Sequence, residues 1–79
     1  MQKYMITCRP MAEEDIKKNC EIVLGNAQGT QLKMDRAYVA QNNKIHCIWN
    51  APNAKSIEDL FRRSKVPIES IVTVEEYLG

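Results

Sequence analysis

Apolar positions along this chain switch between two periods, and the switches predict six elements. Residues Lys3 to Cys8 put Tyr4, Ile6 and Cys8 on one side and Met5 and Thr7 on the other. Both sides carry apolar groups, as in a central strand, and Pro10, which lacks a backbone donor, ends it. From Met11 the spacing becomes helical, with Ala12, Ile16, Cys20, Val23, Leu24 and Ala27 forming one apolar stripe. Glu13, Glu14 and Asp15 occupy the first turn, where negative charge opposes the positive end of the helix dipole. Glu13 with Lys17 and Glu14 with Lys18 are i, i+4 pairs that mark a solvated face, and Gly25 and Asn26 are the expected terminators.

Alternation returns over Thr30 to Ala40, with Leu32, Met34 and Tyr38 on one side and Lys33, Asp35, Ala37 and Val39 on the other. Gln41 to Lys44 is a polar turn whose asparagines tolerate positive φ. Ile45 to Asn50 is the return strand of a β-hairpin, Ile45, Cys47 and Trp49 facing opposite to His46, Ile48 and Asn50. Asn53 is a natural N-cap for a second helix marked by Ala54, Ile57, Leu60, Phe61 and Ser64. Its basic end, Arg62, Arg63 and Lys65, complements the helix dipole; a phosphate-binding patch is the competing reading. Val66-Pro67 turns the chain into a last β-branched strand, Ser70 to Val74, and Glu75 to Gly79 is a short tail.

The order is β-α-β-β-α-β, which is the ferredoxin-like arrangement of an α+β domain. Each helix has one apolar stripe, so both should cover the same face of a four-stranded antiparallel sheet. With the Tyr4/Ile6 side under the helices, the open face presents Met5, Thr7, His46, Ile48 and Asn50. A sheet face this apolar is expected to pair with a second copy, giving a homodimer.

Residues 1–79 are expected to form a single domain, because a chain of 79 residues has a thin core and no room for two. Eleven basic against ten acidic side chains leave a formal charge of +1. That balance excludes a strongly basic nucleic-acid platform and an acidic tail. The aromatics Tyr4, Tyr38, Trp49, Phe61 and Tyr77 make no RNA-stacking pattern, so no nucleic-acid partner is expected. No apolar run approaches the ~20 residues of a membrane span, and the N-terminal stretch does not read as a signal peptide. No membrane partner and a cytoplasmic location are therefore the expectation. The three cysteines, Cys8, Cys20 and Cys47, have no CxxC and no disulfide framework. They read as small core residues, with a thiolate nucleophile or metal ligand as the sharper alternative.

The segment Lys44 to Ala54, strand-Cys47-strand followed by Ala51-Pro52-Asn53-Ala54, resembles a family of small domains of unknown function that includes a bacterial nickel-binding protein. Tyr38-Val39, Val66-Pro67 and Ile71-Val72-Thr73-Val74 resemble the same family. The likeness is carried by roughly the last fifty residues, and by the first helix in pattern only. It implies a ferredoxin-like fold that dimerises as an α+β barrel. Nickel is not implied residue by residue. Members with a metal site are rich in histidine in the first strand-loop and on the second helix, where this chain has Thr7-Cys8-Arg9 and Phe61. Asn50 stands where many members have Glu, and His46 is the single histidine. One imidazole and scattered thiols supply poorly the four or so ligands of a closed site, so no metal site and no cofactor are expected.

The functional expectation is a small-ligand-binding or accessory domain with a pocket near the sheet or the dimer interface. Tyr38, His46 and Asn50 are the candidate pocket residues. One alternative is nickel binding as in the resembled family. Another is an isomerase- or oxygenase-like enzyme with His46 as base and Cys8 or Cys47 as nucleophile. No Ser-His-Asp set, paired carboxylates or Gly-rich loop supports catalysis.

Overall fold

A computed structural model of the chain describes residues 1–77; of the expected tail, Leu78 and Gly79 lie outside the described residues. The elements run β1 (Gln2–Cys8), α1 (Glu13–Ala27), β2 (Lys33–Val39), β3 (Ile45–Ala51), α2 (Ala54–Ser64) and β4 (Ile68–Val74). The sheet order is β2-β3-β1-β4 and every pairing is antiparallel. This is the ferredoxin-like arrangement. The core lies between the helices and one face of the sheet, built from Tyr4, Ile6, Ile45, Trp49, Ile57, Leu60 and Phe61. Trp49 and Phe61 meet edge to face, with ring centroids 5.9 Å apart.

The second helix forms as its sequence dictates. Asn53 accepts hydrogen bonds from the Ser56 amide and hydroxyl, which satisfies an orphan donor of the first turn. Lys65 closes the other end in the left-handed region at φ 60°, with its amide bonded to the Arg62 carbonyl. Ile57, Leu60, Phe61 and Ser64 are all buried. Arg62 is held by Asp59 one turn back.

The first helix departs from expectation. It continues through Gly25 and Asn26 to Ala27, and Gly29 at φ 77° makes the exit. A helical Gly costs about 1 kcal/mol relative to Ala, which the buried Val23 and Ala27 on either side offset. Leu24 is 39% exposed rather than core, because the stripe Ile16, Cys20, Val23, Ala27 already fills the sheet-facing side. The expected Glu13–Lys17 and Glu14–Lys18 pairs do not close. The ion pairs among the described residues are Lys3–Asp35, Lys44–Glu69 and Arg62–Asp59.

Strand β2 is shorter than the alternation predicts. Thr30 is drawn into the helix exit, its hydroxyl bonded to the Ala27 carbonyl and accepting from the Leu32 amide. Within β2, Met34 pairs with Trp49 and Arg36 with Ile48, so Asp35 is an extra, bulged residue. The bulge reverses the parity of everything after it. Ala37 and Val39 come to the helix side with Met34, and Tyr38 crosses to the open face opposite His46. Strand β4 starts earlier than expected, at Ile68, because a second irregularity near Thr7 and Cys8 lets Cys8 pair with Ile68 while Thr7 pairs with Ser70.

Candidate functional site

The open face is organised in rows that run across the sheet. One row is Tyr38, His46, Thr7 and Ser70; the next is Arg36, Ile48, Met5 and Val72; a third holds Asn50, Lys3 and Val74. The first row is polar, the second has an apolar centre, and the third is charged. Tyr38 is 56% exposed and Val72 45%, while Met5, His46 and Ile48 are half-buried by their neighbours on the sheet.

In the polar row the Thr7 hydroxyl and His46 Nδ1 are hydrogen-bonded at 3.1 Å. That bond fixes the ring on the strand and leaves Nε2 as the nitrogen a ligand would meet. Arg36 stands two residues from Tyr38 on the same face of β2, and its pKa is raised further, chiefly by the Tyr38 hydroxyl. The arrangement therefore places an imidazole, a phenol and a guanidinium around the edge of an apolar strip. Those groups can hydrogen-bond a small polar ligand and can hold a negative charge.

The three residues singled out from the sequence do not form one site. Tyr38 and His46 are direct cross-strand neighbours. Asn50 is four residues along β3 from His46, about 13 Å away at strand spacing. Its amide donates to Asp35 Oδ1 at 2.8 Å, and Lys3 pairs with the other oxygen of that carboxylate. Lys3 and Asn50 together hold the Asp35 carboxyl below its ordinary range. Thr7 and Arg36 belong with Tyr38 and His46, and the sequence did not single them out. Arg36 is displaced onto this face by the bulge, which no local signal marks.

Among the described residues a small, half-open pocket lies on the opposite face, between the sheet and α1, and none of Tyr38, His46 or Asn50 lines it. It is a cavity of about 20 Å³ lined by Cys8, Cys20, Cys47, Met34, Trp49 and Phe61 among others. Cys8 and Cys47 converge there, and His46 points the other way. A pairing of His46 with either thiol for nucleophilic catalysis is thus excluded by the sheet between them. Among the described residues no group of three or more His, Cys, Asp or Glu is placed to hold a metal ion. No helix is long and apolar enough to cross a membrane.

The family model described as nickel responsive protein SCO4226-like matches residues 4–74. The chain belongs to the SCO4226-like family. Its backbone is similar to the crystal structure of SCO4226 from Streptomyces coelicolor A3(2), with a TM-score of 0.81 over 96% of this chain and 99% of that one. Sequence identity is 14%, so the likeness establishes the SCO4226-like fold and leaves the chemistry to the residues. No curated protein matches the chain significantly.

Proposed function

We propose that this chain is a homodimeric binding domain that holds a small organic acid between two facing sheets. The observation that carries the reading is the Tyr38–His46–Thr7 row with Arg36 beside it, set against an apolar strip on the uncovered face of the sheet. Met5, Ile48 and Val72 supply a surface that gains by leaving water. A second sheet packed on it would bring two such strips and two polar rows together. The ligand's acidic group would lie against His46 Nε2, the Tyr38 hydroxyl and Arg36, and its apolar part against Ile48. Pockets at such interfaces combine an apolar lining with a few convergent polar groups.

Nickel, which the family description names, does not fit the residues present. Each chain offers one imidazole, its Nδ1 already bonded to Thr7, and among the described residues it belongs to no group of three or more His, Cys, Asp or Glu that could hold a metal ion. Two His46 rings brought together in a dimer would still leave most coordination positions to water. Titration calorimetry with nickel at neutral pH should show no stoichiometric high-affinity event. A submicromolar site lost in His46→Ala would return the chain to metal binding.

The main reading is tested by native mass spectrometry and light scattering of the protein as purified. A dimer mass is expected, with Ile48→Asp giving a folded monomer. Acetate- and benzoate-sized acids should shift the His46 and Tyr38 resonances in the parent, and Arg36→Ala should abolish the shift while leaving the dimer intact. A monomeric parent, or acids that perturb only other residues, would refute it.

A further inference from the structure

The charged row of the open face ends in a cleft to which every strand of the sheet contributes. Arg36 and Asp35 stand on its β2 side, Lys3 rises from β1, and Glu75 and Glu76, just past β4, close the other side. The apolar residues lining it are Ile48 on β3 and Val74 on β4, both half-buried. The space between these groups is about 230 Å³, below the roughly 300–1,000 Å³ of a drug-sized pocket and suited to a short chain. Ile48 is two residues along β3 from His46, so a ligand lying along the strand reaches the cleft about 7 Å from the imidazole row.

The charges around the cleft do not cancel. Lys3 pairs with Asp35, and these two neutralise each other. That leaves the Arg36 guanidinium against two carboxylates, Glu75 and Glu76, and none of the three enters an ion pair among the described residues. Glu76 is nonetheless within electrostatic reach of both cations. Asp35 chiefly, and Glu76 after it, raise the Lys3 pKa; Tyr38 chiefly, and Glu76 after it, raise that of Arg36. Arg36 is thus shared between the acid site at Tyr38 and His46 and the cleft, and the far side of the cleft is acidic. A plain organic acid held at His46 would point its other end towards two carboxylates and offer them nothing.

We propose that the acid bound on this face is an ω-amino acid, its carboxylate against Arg36 and His46, its methylene chain across Ile48, and its terminal ammonium at Glu75 and Glu76. The inference rests on the acid-binding reading of the same face and names the other end of the ligand. The charges match at both ends: carboxylate meets guanidinium, and ammonium meets the two carboxylates. The zwitterion is neutral as a whole, so binding it adds no net charge to the sheet face. A separation of about 7 Å between the two charges corresponds to a chain of about four methylenes. An α-amino acid, whose two charged groups share one carbon, cannot span it.

The test titrates δ-aminovalerate, δ-hydroxyvalerate and n-pentylamine into isotope-labelled protein, followed by nuclear magnetic resonance at low ionic strength, where exposed charges are least screened. δ-Aminovalerate should move the amides of His46 and Tyr38 together with those of Glu75 and Glu76. It should bind roughly three- to tenfold more tightly than the hydroxy acid, as two exposed ion pairs allow. The double variant Glu75→Gln, Glu76→Gln should lose that preference, and Glu58→Gln, on the helix side of the molecule, should keep it. Arg36→Ala should weaken both acids. Equal affinity of the parent for the two acids, or a preference that survives in the double variant, would overturn the proposal while leaving acid binding in place. n-Pentylamine bound as tightly as δ-aminovalerate would refute a site that reads both ends. Failure of both acids to bind would overturn the acid-binding reading and this inference with it.

Discussion

Truncation of Phe61 to Ala removes the ring that joins α2 to the sheet. Phe61 is buried and its edge-to-face partner is Trp49, on the central strand β3. Removing a buried Phe in this way costs about 3–5 kcal/mol, the lost transfer energy and the cavity left behind combined. Roughly 0.5–1.5 kcal/mol of that belongs to the aromatic pair itself. The whole stability of a chain of 79 residues is on the order of 4–12 kcal/mol, so the substitution removes a large share of it. Each kcal/mol lowers the melting temperature of a domain this size by about 4–8 °C, and Phe61→Ala should melt at least ~12 °C below the parent. Phe61→Leu keeps most of the apolar volume and loses the ring contact, so it should cost about 1–2 kcal/mol. Thermal melts followed by circular dichroism and by Trp49 fluorescence should coincide for both variants. If Phe61→Ala melts within about 4 °C of the parent, the shift expected of a single kcal/mol, the reasoning about this core is wrong.

Other positions give equally direct checks. Deleting Asp35 should leave Tyr38 opposite His46, because Met34 and Arg36 already pair with the adjacent residues Trp49 and Ile48; loss of the Tyr38–His46 cross-strand nuclear Overhauser contact would contradict the bulge. Asp35 should titrate below the ordinary value of 3.8 in a carboxyl-detected experiment. With the folded value depressed, its contribution to stability is complete above the ordinary pKa and is lost as pH falls through the folded one; Lys3→Ala should move the midpoint back up. Asn53→Ala removes the cap on the Ser56 amide and should cost about 1 kcal/mol, read as a fall of roughly 4–8 °C in a thermal melt.

The order of elements was legible in the chain because it rests on local signals: a period of two around Ile6 and Cys47, a helical period around Ile57 and Phe61, and a cap at Asn53. That His46, Ile48 and Asn50 share a face opposite to Cys47 and Trp49 followed from the same alternation, since β1 and β3 pair without interruption; which of the two faces the helices cover was decided by packing. The surroundings of His46 were decided elsewhere. Tyr38 reaches it because one residue, Asp35, is left unpaired, and what holds Asp35 out is Lys3 from β1 and Asn50 from β3. Those partners are remote in sequence, so periodicity within β2 could not report them. The gathering of Cys8, Cys20 and Cys47 has the same origin: the register of β1 on β3 and the lie of α1 above them are set by long-range packing, and spacing along the chain carries no trace of either.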